Sequence, residues 1–174
     1  MNRGLFITLE GGEGAGKTTQ IKRLAQALQK ETFHVVQTRE PGGTPAGEAL
    51  RNIFVEHKGN DWPLPAQIML MFAARTLHLE NVIKPALEEG AIVISDRFTD
   101  STRAYQGHAQ GYDRQKLEEV KSAAIGDFEP DLTFIFDIDP HEGLIRAAGR
   151  AQSDDTFEEK GFSFHERLRE GYLS

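Results

Sequence analysis

Residues 11–18 read Gly-Gly-Glu-Gly-Ala-Gly-Lys-Thr and match the pattern G-x-x-x-x-G-K-[ST] at every fixed position. The apolar run at 5–9 reads as a strand leading into this loop. After it, Ile21, Leu24, Ala25 and Leu28 recur at helical spacing on one face. A strand, a glycine-rich turn and a helix in that order prescribe a local geometry. The glycines let the backbone wrap closely around an anion and turn its N–H groups inward. The helix N-terminus adds partial positive charge aimed at the same point. Lys17 is then placed for the β- and γ-phosphates of a nucleoside triphosphate, and the Thr18 hydroxyl for its magnesium ion. The loop alone does not separate kinases from GTPases or motor ATPases. The chain has no Asn-Lys-x-Asp guanine-reading motif, which argues against the GTPase option.

Beyond the loop, short apolar runs alternate with longer segments of helical period, the pattern of an α/β domain with a mainly parallel sheet. With the loop, this predicts a three-layer domain of the P-loop NTPase type. Strands are expected at 5–9, 34–38, 91–95 and 132–137. Helices are expected at 46–57, 65–89 (bent at Pro85), 100–107, 113–126 and 140–149, with a last amphipathic helix after a polar stretch at 150–161. No repeat, low-complexity tract or linker interrupts the chain, so residues 1–174 read as one domain. In open parallel sheets, ligands bind outside the carboxyl ends of the strands. Four loops leave at that edge: 11–18, 39–44, 96–101 and 138–142.

Composition excludes several classes. A length of 174 residues suits one sizeable core. The net charge of −7, without a long run of lysine and arginine, argues against a nucleic-acid partner. The chain has no cysteine, hence no disulfide, thiolate metal site or cysteine nucleophile. No segment reads as a signal peptide or a transmembrane helix, so the expectation is a cytoplasmic protein without a membrane partner.

Ile-Val-Ile-Ser-Asp-Arg at 92–97 places Asp96 and Arg97 where a buried strand ends. An acid there can hold magnesium, directly or through water, or orient basic groups. An arginine can fork onto a phosphate. By itself such a pair is equally consistent with a surface ion pair. The loop Thr-Arg-Glu-Pro-Gly-Gly-Thr at 38–44 shifts the balance by bringing Arg39 and Glu40 to the same edge. Two arginine–acid loops beside a triphosphate cradle suggest a second phosphate site, and transfer between two bound phosphates is the work of a nucleotide kinase. On the helix at 65–89, Phe72 and Arg75 lie one turn apart, placing Phe72 either to stack on a base or to pack in the core.

These segments come in a fixed order. After the P-loop and 38–44 come Leu-Met-Phe-Ala-Ala-Arg at 70–75, Asp-Arg-Phe at 96–98 and Ser-Thr-Arg-Ala-Tyr-Gln-Gly at 101–107. Pro-Asp-Leu-Thr at 130–133 and Asp-Ile-Asp-Pro at 137–140 follow. In that order and spacing the chain resembles the thymidylate kinase family over essentially its whole length. The resemblance implies transfer of the ATP γ-phosphate to dTMP, giving dTDP and ADP, with magnesium as cofactor. The implied ATP site is Gly11, Gly12, Glu13, Gly14, Ala15, Gly16, Lys17, Thr18 and Thr19, with Thr18 and Asp96 at the metal. Arg97, Arg75 and Arg51 would hold the dTMP phosphate, with Arg39, Glu40 and Glu13 nearby. Phe72 would stack on thymine, Ser101, Thr102 and Gln106 would face the base, and Tyr105 would crowd the 2′ position of the sugar. Within that spacing Met71, not Phe72, stands four residues before Arg75, where relatives often carry the phenylalanine.

Some relatives carry a catalytic arginine inside the P-loop, where this chain has Gly14 and Ala15. The charge must then come from a mobile lid at about 146–161, through Arg150 or Arg146, so the catalytic set is Lys17, Asp96, Arg97 and these two. The lid reads Asp-Thr-Phe-Glu at 155–158 where relatives often have Asp-Arg-x-Glu. Family members usually continue past a Tyr-Leu like that at 172–173 into a final strand and helix, which is expected to be absent here. The resemblance also implies a homodimer. Two alternatives stay open: another P-loop nucleoside or nucleoside monophosphate kinase, and a P-loop regulatory NTPase.

Overall fold

The computed structural model describes residues 3–57, 59–149, 157 and 160–174. Its sheet has four parallel strands, β1 (Leu5–Gly11), β2 (Val35–Arg39), β3 (Ile92–Asp96) and β4 (Leu132–Phe136), in the order β2-β3-β1-β4. Each lies within two residues of the run that announced it. The helices are α1 (Lys17–Lys30), α2 (Pro45–Glu56), α3 (Leu64–His78), α4 (Lys84–Glu88), α5 (Thr99–Thr102), α6 (Arg114–Ile125), α7 (Pro140–Ala148) and α8 (Phe162–Leu173).

The two-residue period of the strands divides the interior into two cores. Phe6 and Val93 project to one face and pack with Ile68 and Phe72 of α3, Ala86 and Leu87 of α4, and Leu117 and Ile125 of α6. Ile7, Leu9, Ile92 and Ile94 project to the other and pack on Ile21 and Ala25 of α1. Helices on both faces of a parallel sheet make three layers. A third cluster, off the sheet, joins Phe54 of α2, Met71 of α3, Tyr105, Phe157, and Phe164 and Leu168 of α8.

The expected helix at 65–89 is instead α3 and α4 joined by a π-helical turn, Leu79–Ile83. Pro85 has no N–H to donate and its ring crowds the carbonyl four residues back, and a widened turn just ahead of it accommodates both. A second π turn, Arg103–Ala109, follows α5 where a plain helix was expected. Local caps set the helix starts at the active edge. Thr44 accepts from Gly47 N, with Pro45 in the first turn of α2. Asp139 accepts from His141 N and Glu142 N, with Pro140 in the first turn of α7.

Connectivity positions the site. From β1 the chain passes over β3 to β2, returns to β3, and then crosses β1 to reach β4 on its other side. The direction of winding reverses at β1, so the crevice opens at its carboxyl end, where the P-loop lies.

Candidate active site

The P-loop is drawn tightly against its surroundings. Gly14 has φ +69°, and a Cβ there would lie 2.1 Å from the Gly143 carbonyl oxygen of α7. A side chain at 14 is therefore excluded twice, by backbone conformation and by space. Lys17 Nζ donates to the carbonyls of Gly11 and Gly12, at 2.9 and 3.0 Å. Burial, and after it the nearby Arg97 charge, lower its pKa to about 8. Thr18 Oγ1 donates to Asp96 Oδ2 at 3.2 Å, joining the first turn of α1 to the end of β3.

Beside the loop lies a cleft enclosing about 690 Å³, including its open mouth. Arg51, Phe54, Met71, Arg75, Arg97 and Tyr105 form its walls, together with Glu40, Ser101, Thr102, Gln106 and Phe157. Arg97 sits at the junction of cleft and P-loop. Its φ of +73° is costly for a residue with a side chain, and the surrounding bonds hold it there. Nη1 donates to the Gly11 carbonyl at 3.1 Å, to Ser101 Oγ at 3.3 Å and to the Tyr172 hydroxyl at 3.0 Å, while Nη2 donates to Glu13 Oε1 at 2.6 Å. The Tyr105 hydroxyl donates to the same Glu13 oxygen, with the Arg97 guanidinium over its ring, 5.1 Å from the centroid.

Arg75 is 3% exposed and just as firmly held. Nε donates to Glu40 Oε2 at 2.6 Å, Nη1 to Thr102 Oγ1 at 3.1 Å and Nη2 to the Phe98 carbonyl at 2.8 Å. Three of its five N–H groups are thus taken and two remain for whatever enters the cleft. Arg51 Nη1 reaches the Pro41 carbonyl at 3.5 Å, at the limit of a hydrogen bond. Gln106 lines the cleft and donates to Gln67 Oε1 at 3.2 Å.

Three expectations are corrected or fall outside the structure. Phe72 does not face the cleft. It is 2% exposed, packs in the core with Phe6, Ile68 and Phe98, and lies under Arg75 with the guanidinium carbon 4.7 Å from its ring centre. Its neighbour Met71, about 100° further round α3, takes the cleft wall instead. Arg39 likewise turns away: its guanidinium, 54% exposed, pairs with Glu48 at 3.0 Å on the outer edge. Arg146 is exposed on α7 and paired with Glu142 one turn back, and Arg150, with most of the expected lid, lies outside the described residues.

Sequence reasoning missed several residues of the site. Glu10 accepts from Phe98 N and Ser101 Oγ, both at 2.6 Å, and from the Tyr172 hydroxyl at 3.3 Å. Burial pushes its carboxyl above the usual range, against the Ser101 bond and the Arg97 charge. An acid in an otherwise apolar strand was the available signal. His78 was marked only by standing one turn after Arg75. Phe54 and Phe157 carried no local signal, since packing across elements brings them to the cleft, and the same packing brings the Tyr172 hydroxyl to Arg97.

A model of the family described as thymidylate kinase matches residues 9–174. The chain belongs to the thymidylate kinase family. A thymidylate kinase of Caulobacter vibrioides is 47% identical over 173 residues, covering 99% of this chain and 83% of the relative. One from Geobacter sulfurreducens is 48% identical over 177 residues, with 98% and 83% covered. A crystal structure of thymidylate kinase from Ehrlichia chaffeensis superposes with a TM-score of 0.78 at 37% identity, over 98% of this chain and 81% of that one. The P-loop and cleft of a thymidylate kinase family fold are thus present in this chain.

Proposed function

We infer that this chain is a dTMP kinase, transferring the γ-phosphate of ATP to dTMP to give dTDP and ADP. The observation that carries the reading is the second anion cleft. Arg97 stands between the P-loop carbonyl of Gly11 and a cleft also lined by Arg51 and Arg75, so donor and acceptor phosphates meet at one guanidinium. The family membership supplies the acceptor: thymidylate kinases act on dTMP.

The P-loop amides and Lys17 take the donor phosphates, with Gly11, Gly12, Glu13, Gly14, Ala15, Gly16, Thr18 and Thr19 completing that site. Arg97 and Arg51 take the acceptor phosphate, and Arg75 offers its two remaining N–H groups. Tyr105, held by Glu13, bounds the sugar, while Thr102 and Gln106 line the wall around the base. The paired Thr18 hydroxyl and Asp96 carboxylate are a donor set suited to magnesium, which takes one or two protein oxygens and completes its shell with water and phosphate. When bound, the ion neutralises phosphate charge that Lys17 and Arg97 share. Arg150, which lies outside the described residues, is proposed to supply a further cation to the transferring phosphoryl group. We further propose that the enzyme acts in the cytoplasm as a homodimer.

ADP release, coupled to a spectrophotometric reporter, tests the reading on a panel of nucleoside monophosphates with acceptor-free controls. dTMP-dependent release well above every other acceptor is expected. Equal release without acceptor would make the protein a hydrolase, and preference for another monophosphate would reassign the acceptor.

A further inference from the structure

Glu40 is a buried carboxylate gripped on both oxygens by one helix. Arg75 Nε binds Oε2 at 2.6 Å, and His78, one turn further along α3, binds Oε1 through Nδ1 at 2.9 Å. His78 itself is fully buried, and its Nε2 meets Thr38 Oγ1 at 2.6 Å. Its ring also lies against the 39–44 loop: a Cβ on Gly43, which has φ +78°, would fall 2.5 Å from His78 Cδ2. The imidazole therefore lies against the end of β2, Gly43 and the carboxylate between them. His78 itself does not line the cleft; Glu40 and Arg75 do.

The chemistry fixes the direction of each bond. A carboxylate oxygen paired to arginine has no proton to give, so Nδ1–H donates to Glu40 and the ring orientation follows. Two charge-assisted donors from opposite sides leave the carboxylate one orientation. That orientation sets the plane of the Arg75 guanidinium, whose other edge is held by Thr102 and the Phe98 carbonyl. Without the imidazole donor, Glu40 Oε1 is a buried acceptor lacking that partner, and the carboxylate can rotate to relieve it. The guanidinium then loses the support along its Nε edge.

We propose that His78 is a positioning residue for the acceptor: through Glu40 it locks the plane of Arg75, so that the guanidinium is aimed into the cleft before the monophosphate arrives. The proposal rests on the dTMP reading of that cleft. Its effect falls on acceptor binding and spares the donor, because the relay Thr38–His78–Glu40–Arg75 ends at the cleft, away from the P-loop.

The test compares wild type with His78→Asn and His78→Gln, reading kcat and the KM of dTMP and ATP separately on protein shown to be folded by circular dichroism. Asparagine puts an amide N–H where Nδ1 stood and keeps the bond to Glu40. Glutamine carries its amide to the Nε2 position, toward Thr38, and drops it. His78→Gln is expected to raise the dTMP KM about tenfold, with kcat and the ATP KM within about twofold, while His78→Asn stays within about threefold of wild type throughout. A merely structural histidine would be harmed alike by both changes. Equal dTMP KM in all three proteins, equal losses in both variants, or losses shared equally by dTMP and ATP would overturn the proposal. If His78→Gln does not fold, Thr38→Val carries the test. It leaves Nε2 without the hydroxyl, is expected to raise the dTMP KM alone, and overturns the proposal if that KM is unchanged. A wild-type enzyme that prefers another monophosphate fails the dTMP reading instead, and the same variants are then read on that acceptor.

Discussion

Met71 and Phe72 are adjacent on one helix yet belong to different worlds, and exchanging their side chains separates stability from acceptor binding. Phe72 belongs to the core cluster that includes Phe6, Ile68 and Phe98, with its ring face toward Arg75. Phe72→Leu removes three buried carbons, worth about 0.8 kcal/mol each. It also removes a buried cation–π contact worth about 2 kcal/mol. The sum is about 4 kcal/mol, which for a domain of this length lowers Tm by roughly 8–16 °C. Arg75 remains pinned by Glu40, Thr102 and the Phe98 carbonyl, so the dTMP KM stays within about threefold. Met71→Ala opens the cleft wall and raises the dTMP KM roughly five- to tenfold, with kcat little changed, because a packing contact serves ground and transition states alike. Calorimetric melts beside steady-state kinetics read both quantities. If Phe72→Leu raised the dTMP KM tenfold while Tm fell by less than about 2 °C, the ring would stack on the base and would not serve the core.

Lys17, with its pKa lowered to about 8, must be protonated to hold phosphate, so ADP titrated in EDTA binds evenly up to about pH 8 and weakens by up to about tenfold per unit above it. Calorimetry at pH 8.5 in buffers of differing ionisation enthalpy should show proton uptake, and flat affinity from pH 7.5 to about 9.5 would refute the role of Lys17. Arg97→Ala loses a charge-assisted fork at the junction of both sites, so dTMP affinity and kcat should each fall about tenfold or more; calorimetry showing unchanged dTMP affinity would place the acceptor phosphate elsewhere. Arg150→Ala should lower kcat by roughly a hundredfold and leave binding of dTMP alone unchanged, whereas Arg146→Ala, already paired with Glu142, should do neither. Single-turnover kinetics decide between them, and normal turnover in Arg150→Ala would remove that residue from the catalytic set.

The layered fold was legible because its signals are periodic and local. Alternation in β1 sends Phe6 and Ile7 to opposite cores, and the spacing of Ile21 and Ala25 supplies the helix that covers one of them. The P-loop, Asp96 and Arg97 were legible because a motif at a strand end has only one place to go in a parallel sheet. The π turn at Leu79–Ile83 was not, since a single widened turn leaves the spacing of apolar residues almost intact. Phe72 was misjudged for a different reason. On α3 the core face and the cleft face are one residue apart, and the roll of the helix against the sheet decides between them. Arg39 fails in the same way at a strand end: Glu40 turns inward to Arg75 and His78, and Arg39 outward to Glu48.

The carboxylates at this edge raise a question that the arginines alone do not. A site for two anions with Glu10, Glu13 and Glu40 packed around its cations looks poorly chosen, since each acid repels what must bind. Lys17 shows why they are there: burial and, after it, the Arg97 charge work to deprotonate it, while Glu13, Asp96 and Glu10 work to keep its proton. Cations crowded closely enough to share a transferring phosphoryl group repel one another in the free enzyme, and in a low-dielectric cleft that repulsion is severe. The acids hold the cluster together and aim it. Glu13 keeps Arg97 at the mouth of the P-loop, and Glu40 keeps Arg75 in its plane. On the proposed reading, an incoming phosphate would compete with Glu13 for a guanidinium already in place, an arrangement that would weaken ground-state binding and spare the reorganisation that transfer otherwise requires.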